Sequence, residues 1–166
     1  MRDYGVSAIV AMVIAAAALI GPALYRPMTR VAGFRSDPAA EVWSLHQLSS
    51  GRLGLIEPTT TPMINAPDGA RLRRPVEITT AFVDVLAWPI YHVASPVTTR
   101  NLLLVLGAIG NGIALLVAAA TMRLRRVPAV IGAIAFMYAP SLVTETRLHM
   151  ALVFAFPIPL AFAAGV

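Results

Sequence analysis

Long apolar runs separated by short polar connections occupy most of this chain, and a single polar stretch near the N-terminus interrupts the pattern. The first run extends from about residue 6 to 24, flanked by Arg2 and Asp3 before it and Arg26 after it. Crossing a bilayer takes about 20 apolar residues in a helix, so this run predicts a membrane anchor. A cleaved signal peptide is the alternative for so Ala-rich a run, although the apolar part of such peptides covers only about 7 to 15 residues. Further apolar runs at about 101–122, 127–143 and 150–166 each predict another crossing helix.

Between Tyr25 and Glu77 the chain turns to Arg, Asp, Thr, Pro and Gly. A helix is expected from Ala39 to Ser50, because Asp37 suits its N-cap, Pro38 its first position and Gly51 its stop. Val42, Leu45 and Leu48 recur at three-residue spacing with Trp43 beside them, which gives that helix one apolar side and an expected place on a bilayer surface. Pro58, Pro62, Pro67 and Pro75, with a Pro67-Asp68-Gly69 turn, predict irregular backbone after it.

The segment from Ile78 to Ser95 is apolar enough to insert but carries Asp84, Pro89 and His92, which are costly in hydrocarbon. It either crosses the membrane or only dips into it. Arg123, Arg125 and Arg126 sit in a four-residue connection, which the positive-inside bias places in the cytoplasm. A dipping segment puts both the N-terminus and this connection inside, and that arrangement is the one expected here. A long first extracytoplasmic loop, about residues 25–99, then carries the juxtamembrane helices.

Gly107, Gly110 and Gly112 in the 101–122 run predict close helix approach, with Asn111 as a hydrogen-bonding group beside them. The last run contains Pro157 and Pro159 and reaches Val166 with no polar flank. We therefore expect a single membrane domain over 1–166 that is incomplete at its C-terminus.

Composition strengthens the membrane reading, since 58% of residues are hydrophobic, 13% are charged and the mean hydropathy is +0.75. The fold class expected is all-α integral membrane, with about four transmembrane helices and the lipid bilayer as partner. Lys is absent, and the 13 Arg residues are dispersed rather than interleaved with aromatics, so nucleic acid is excluded as an expected partner. Cys is absent too, which removes disulfides and thiolate metal sites.

Few residues here could carry chemistry. Asp37 stands four residues before Glu41, a spacing that puts both on one helical face, although a capping role accounts for Asp37 equally. His149 follows Glu145 by four residues, and the two could share a proton or hold a divalent ion, or His149 could simply meet water at the interface. No phosphate loop, nucleophile elbow or zinc helix motif is present.

The order of Ser36-Asp37-Pro38, Trp43, Leu48-Ser49-Ser50-Gly51, Pro67-Asp68-Gly69, Trp88-Pro89, Asn101-Leu102-Leu103, Ala139-Pro140-Ser141 and His149 with Pro157 and Pro159 resembles the polytopic membrane glycosyltransferases of the GT-C fold. The resemblance implies a bacterial plasma-membrane protein with a cytoplasmic N-terminus. It also implies transfer of a hexosyl or pentosyl group from a polyprenyl-phosphate-linked sugar to an extracytoplasmic acceptor. Carried over by position, Asp37 is the catalytic carboxylate. Glu41, Arg73, Arg74 and His149 become substrate-binding candidates, and Asp37, Glu145 and His149 become candidate ligands for a divalent cation. Two departures stand out: the second residue of the family's acidic pair is Pro38 here, and most of the family's helices are missing. A non-catalytic membrane scaffold or a transporter fragment is the alternative.

Overall fold

The computed structural model describes residues 5–24, 31, 36–52, 59–61, 70–72 and 78–165. Helices dominate: α1 (Gly5–Leu24), α2 (Ser36–Ser49), α3 (Ile78–Tyr91), α4 (Pro96–Thr121), α5 (Arg126–Met137), α6 (Pro140–Leu148) and α7 (Pro157–Ala164), with a 3-10 turn at Met150–Val153. Two three-residue strands, β1 (Thr59–Thr61) and β2 (Ala70–Leu72), pair antiparallel with Thr60 opposite Arg71. This ribbon lies where irregular backbone was expected.

α4 is the axis of the bundle, and α1, α2, α3, α5 and α7 all pack on it. Its start is well defined. Ser95 is the N-cap, its Oγ accepts the Thr98 N–H at 3.2 Å, and Pro96 takes the first turn, where a missing N–H costs nothing. At its other end the Leu124 N–H reaches Ala119 O and the Arg123 N–H reaches Ala120 O, a paired closure that holds Arg123 at φ 56°. The same closure ends α2, with Gly51 at φ 69° and the Arg52 and Gly51 N–H groups on Gln47 O and Leu48 O. Gly51 is thus the stop that its residue type suggested. The start of α2 differs, because the helix already includes Ser36, so Asp37 lies within its first turn rather than before it.

The helices bury narrow apolar stripes. Val83, Ala87 and Tyr91 form the stripe of α3, and Ala129, Ala133 and Met137 that of α5, each at four-residue spacing. α1 contributes Ala8, Met12, Ala15, Ala16 and Ile20. The glycines of α4 meet these partners closely, as their sequence suggested. A Cβ on Gly112 would stand 2.6 Å from the Met12 sulfur and 2.7 Å from that of Met137, while Gly107 faces Val153 and Phe154, and Gly110 faces Phe156.

These contacts set the direction of each element. Ser7 of α1 meets Arg126, beyond the C-terminal end of α4, and Met12 meets Gly112, so α1 and α4 are antiparallel. α5 and α6 climb back along the bundle, the Tyr138 hydroxyl donating to Ala15 O at 2.8 Å. The chain then descends from Met150 past Gly107 and Gly110 into α7. α3 rises beside it, and Phe82 lies edge-on to Phe154 and Phe156 near the middle of α4.

The expectation of four continuous crossing helices needs correction. Among the described residues one helix, Pro96–Thr121, is long and apolar enough to cross alone, and Gly5–Gly21 and Phe82–Tyr91 are shorter apolar helices. The 127–143 run is broken by Pro140, whose ring cannot continue a helix, so Arg126–Met137 and Pro140–Arg147 meet at a 43° bend and match a crossing only as a pair. The 150–166 run is broken between Val153 and Pro157 for the same reason, leaving α7 with eight residues, about 12 Å of helix. That break exposes backbone groups inside the bundle. The buried Asn111 amide donates to the Val153 carbonyl at 2.7 Å and satisfies one of them.

Gly112→Val is expected to lower the unfolding free energy in detergent by about 1–3 kcal/mol through overpacking against Met12 and Met137. Gly132→Ala meets only Leu115, at 3.9 Å, and should be neutral or stabilising in the same thermal melt.

Candidate functional site

A cluster of ionisable residues lies where the N-terminal end of α4 meets α2 and the end of α6. Ser95 and Pro96 start α4 early enough to carry Arg100 inside its second turn, facing the bundle with no exposed surface. A guanidinium cannot lose its charge by deprotonation, so a buried Arg needs a carboxylate beside it. Glu41 of α2 supplies one, its Oε2 accepting from Arg100 Nε at 2.7 Å. Glu41 Oε1 accepts the backbone N–H of Met150 at 2.6 Å. One carboxylate thus joins α2, α4 and the turn that follows α6.

The residue before Met150 is His149. Its Nδ1 stands 2.8 Å from Glu145 Oε2, and the imidazole is about half exposed while the carboxylate is a quarter exposed. The two are held by the helical geometry of α6, which brings residues four apart together. The spacing that singled them out therefore describes a real contact. Asp37 sits one turn before Glu41 in α2, and its side chain lies outside the described residues. So do Arg73, Arg74 and the Pro67-Asp68-Gly69 turn. Of the residues singled out from sequence, Glu41, Glu145 and His149 come together at one end of the bundle.

Arg100 is missed by hydropathy, because the apolar run begins just after it, at Asn101. The signal was present in Ser95-Pro96, an N-cap followed by a first-turn proline, which moves the helix start upstream and makes Arg100 a helical residue. Asp84, a suspect for its cost in hydrocarbon, is buried in α3 and engaged in an interaction rather than turned outward.

A divalent cation needs more oxygen or nitrogen ligands than this cluster offers. Among the described residues no three His, Asp or Glu side chains converge, and Glu145 with His149 supplies two donors at most. The described residues do not make a closed metal site, and no chemical step is assigned to one.

The pair predicts a distinctive stability pattern. Arg100→Met and Glu41→Leu each remove one partner of a 2.7 Å ion pair whose guanidinium has no exposed surface, so each should destabilise the fold by up to about 3–5 kcal/mol, and the double variant should lose less than the sum of the two. Thermal melts of the three variants in one detergent measure it. Equal and additive losses would mean that the two side chains do not interact.

Comparison with protein-family models, curated proteins and solved structures finds no match to this chain, so the GT-C resemblance is carried by its short motifs alone.

Proposed function

We propose that this chain is a membrane-embedded unit of a lipid-linked sugar transferase of the GT-C type, with its reaction centre at the end of the bundle that carries Glu41, Arg100, Glu145 and His149. The observation that carries this reading is the Glu41 carboxylate, which ties α2, the helix whose first turn holds Asp37, to α4 through Arg100 and to the turn after His149 through the Met150 N–H. Among the described residues, Glu41, Arg100, Glu145 and His149 share this end of the bundle.

Membrane placement is supported by the outer surface. Val6, Ile9, Val13 and Ile14 of α1, Leu102, Leu106, Ile113 and Val117 of α4, and Ile158 and Phe162 of α7 are all exposed. α4 is therefore apolar on its outer face as well as its inner one, the pattern of a helix in lipid. With 26 residues it is about 39 Å long, enough for the hydrocarbon core. α1, the bent pair α5 with α6, and the descending segment through α7 are the other proposed crossings.

The contact between Arg126 and Ser7 puts the start of α1 and the arginine connection at the same end of the bundle. This supports a cytoplasmic location for both, and an external one for the Glu41 end. The position of Phe82 supports an α3 that dips to mid-depth and returns.

In this reading the Asp37 carboxylate takes the proton of the acceptor hydroxyl as its oxygen attacks the anomeric carbon. The bond from that carbon to the phosphate oxygen breaks, and the polyprenyl phosphate departs with both electrons. Arg73 and Arg74 are proposed partners of the phosphate. Glu41 is assigned to positioning, since both of its oxygens are engaged within the protein.

A non-catalytic scaffold is the second reading, and that same engagement of Glu41 favours it. One substitution separates the readings. Asp37→Asn keeps the side chain's size and hydrogen-bonding capacity and removes only its charge, so a purely structural Asp37 predicts little change, whereas a catalytic carboxylate predicts near-complete loss of sugar transfer from polyprenyl-phosphate donors with the melting temperature preserved.

Because the chain has no cysteine, single Cys substitutions report sidedness directly. Arg52→Cys should react with an impermeant maleimide in intact cells, and Arg123→Cys only after lysis. The reverse pattern would overturn the external active site.

A further inference from the structure

At the opposite end of the bundle from the ion pair, an open groove of about 250 Å³ lies between α1 and α5, lined by Ser7, Ala8, Arg126, Val127, Val130 and Ile131. Its lining divides by chemistry. The Arg126 guanidinium and the Ser7 hydroxyl, hydrogen-bonded to each other, stand at the end where α5 begins, and the remaining lining is aliphatic. Val127 and Ile131 are 68% and 62% exposed, so this apolar lining continues onto the outer surface of the bundle. Arg123 and Arg125, also exposed, stand in the connection just before α5. Neither α1 nor α5 has an acidic residue in its first turn. The N-cap of α5 is Arg125, whose side chain gives no hydrogen bond to the helix and so leaves the Arg126 and Val127 N–H groups uncapped, while Pro128 has no N–H and the Ala129 N–H is bonded to Arg125 O.

We infer that this groove binds an anionic phospholipid, its phosphate on Arg126 and Ser7 and one acyl chain along Val127, Val130 and Ile131. Charge complementarity selects the headgroup: a guanidinium offers two parallel donors to phosphate oxygens, the Ser7 hydroxyl offers a third, and a helix start favours an anion. The aliphatic lining selects a lipid over a soluble phosphate, which would use none of it. Basic pockets between helices on the cytoplasmic side are suited to anionic headgroups, which enrich that leaflet. The inference rests on the membrane placement proposed above but not on sugar transfer. Bound there, the lipid bridges α1 and α5 and fills the gap between them.

The test uses the whole chain in neutral detergent micelles doped with phosphatidylglycerol, with phosphatidylcholine, or with inorganic phosphate in the buffer. Phosphatidylglycerol is expected to raise the melting temperature saturably, and the other two are expected not to. Arg126→Gln removes a charged hydrogen bond and should weaken the apparent affinity about tenfold or more. Ile131→Trp, which fills the groove, should also abolish the shift, while Arg52→Gln at the other end should leave it intact. An equal shift with phosphatidylcholine, reproduction by inorganic phosphate, or an unchanged affinity in Arg126→Gln would each overturn the lipid site. Carbonate washing of membranes separates the two failures: release of the chain sinks the membrane placement and the lipid site together, and retention without phosphatidylglycerol selectivity sinks the lipid site alone.

Discussion

Arg100 brings a permanent charge to a place with no exposed surface, and much of the architecture follows from how that charge is answered. Desolvating a guanidinium is expensive unless a carboxylate meets it at close range and the carboxylate's remaining lone pairs are also used. Glu41 does both, with one oxygen on Arg100 Nε and the other on the Met150 amide. α2 cannot slide along α4 without separating the charges. Likewise, the turn after α6 cannot leave without exposing a buried acceptor. The pair fixes register among three parts of the chain that lie far apart in sequence.

Below that point the bundle is held by close apposition rather than by charge. Gly107 and Gly110 let Val153, Phe154 and Phe156 close on one side of α4, and Gly112 lets Met12 and Met137 close on another. Where the descending chain abandons helical hydrogen bonding between Val153 and Pro157, Asn111 supplies a donor from the neighbouring helix. Broken backbone can persist inside an apolar bundle only when its polar groups find partners there. The proline breaks and the polar residue of α4 are thus two parts of one arrangement.

The ends of the bundle have different chemistry. One gathers carboxylates, an imidazole and a buried guanidinium where α2, α4 and α6 meet. The other presents exposed arginines beside an aliphatic groove. About 39 Å of α4 separates them, comparable with the thickness of a bilayer. A reaction centre at the first end and a lipid headgroup at the second are the corresponding proposals, and each follows from the local charge and its surroundings.

Much of this was legible from the residues alone. Apolar runs and turn residues marked the helices, Gly51 marked the end of α2, the glycines of α4 marked its closest contacts, and the four-residue spacing of Glu145 and His149 marked their contact. Each is a local property, decided by periodicity or by one residue's conformational range. Continuity of the later helices was misjudged, because hydropathy averages over Pro140 and Pro157 whereas backbone hydrogen bonding does not. The partnership of Arg100 with Glu41, 59 positions apart, could come only from tertiary structure, as could the grip of Glu41 on Met150 and of Asn111 on Val153. Sequence declares that a buried charge or an open carbonyl must be satisfied. Which distant group satisfies it depends on how the helices cross.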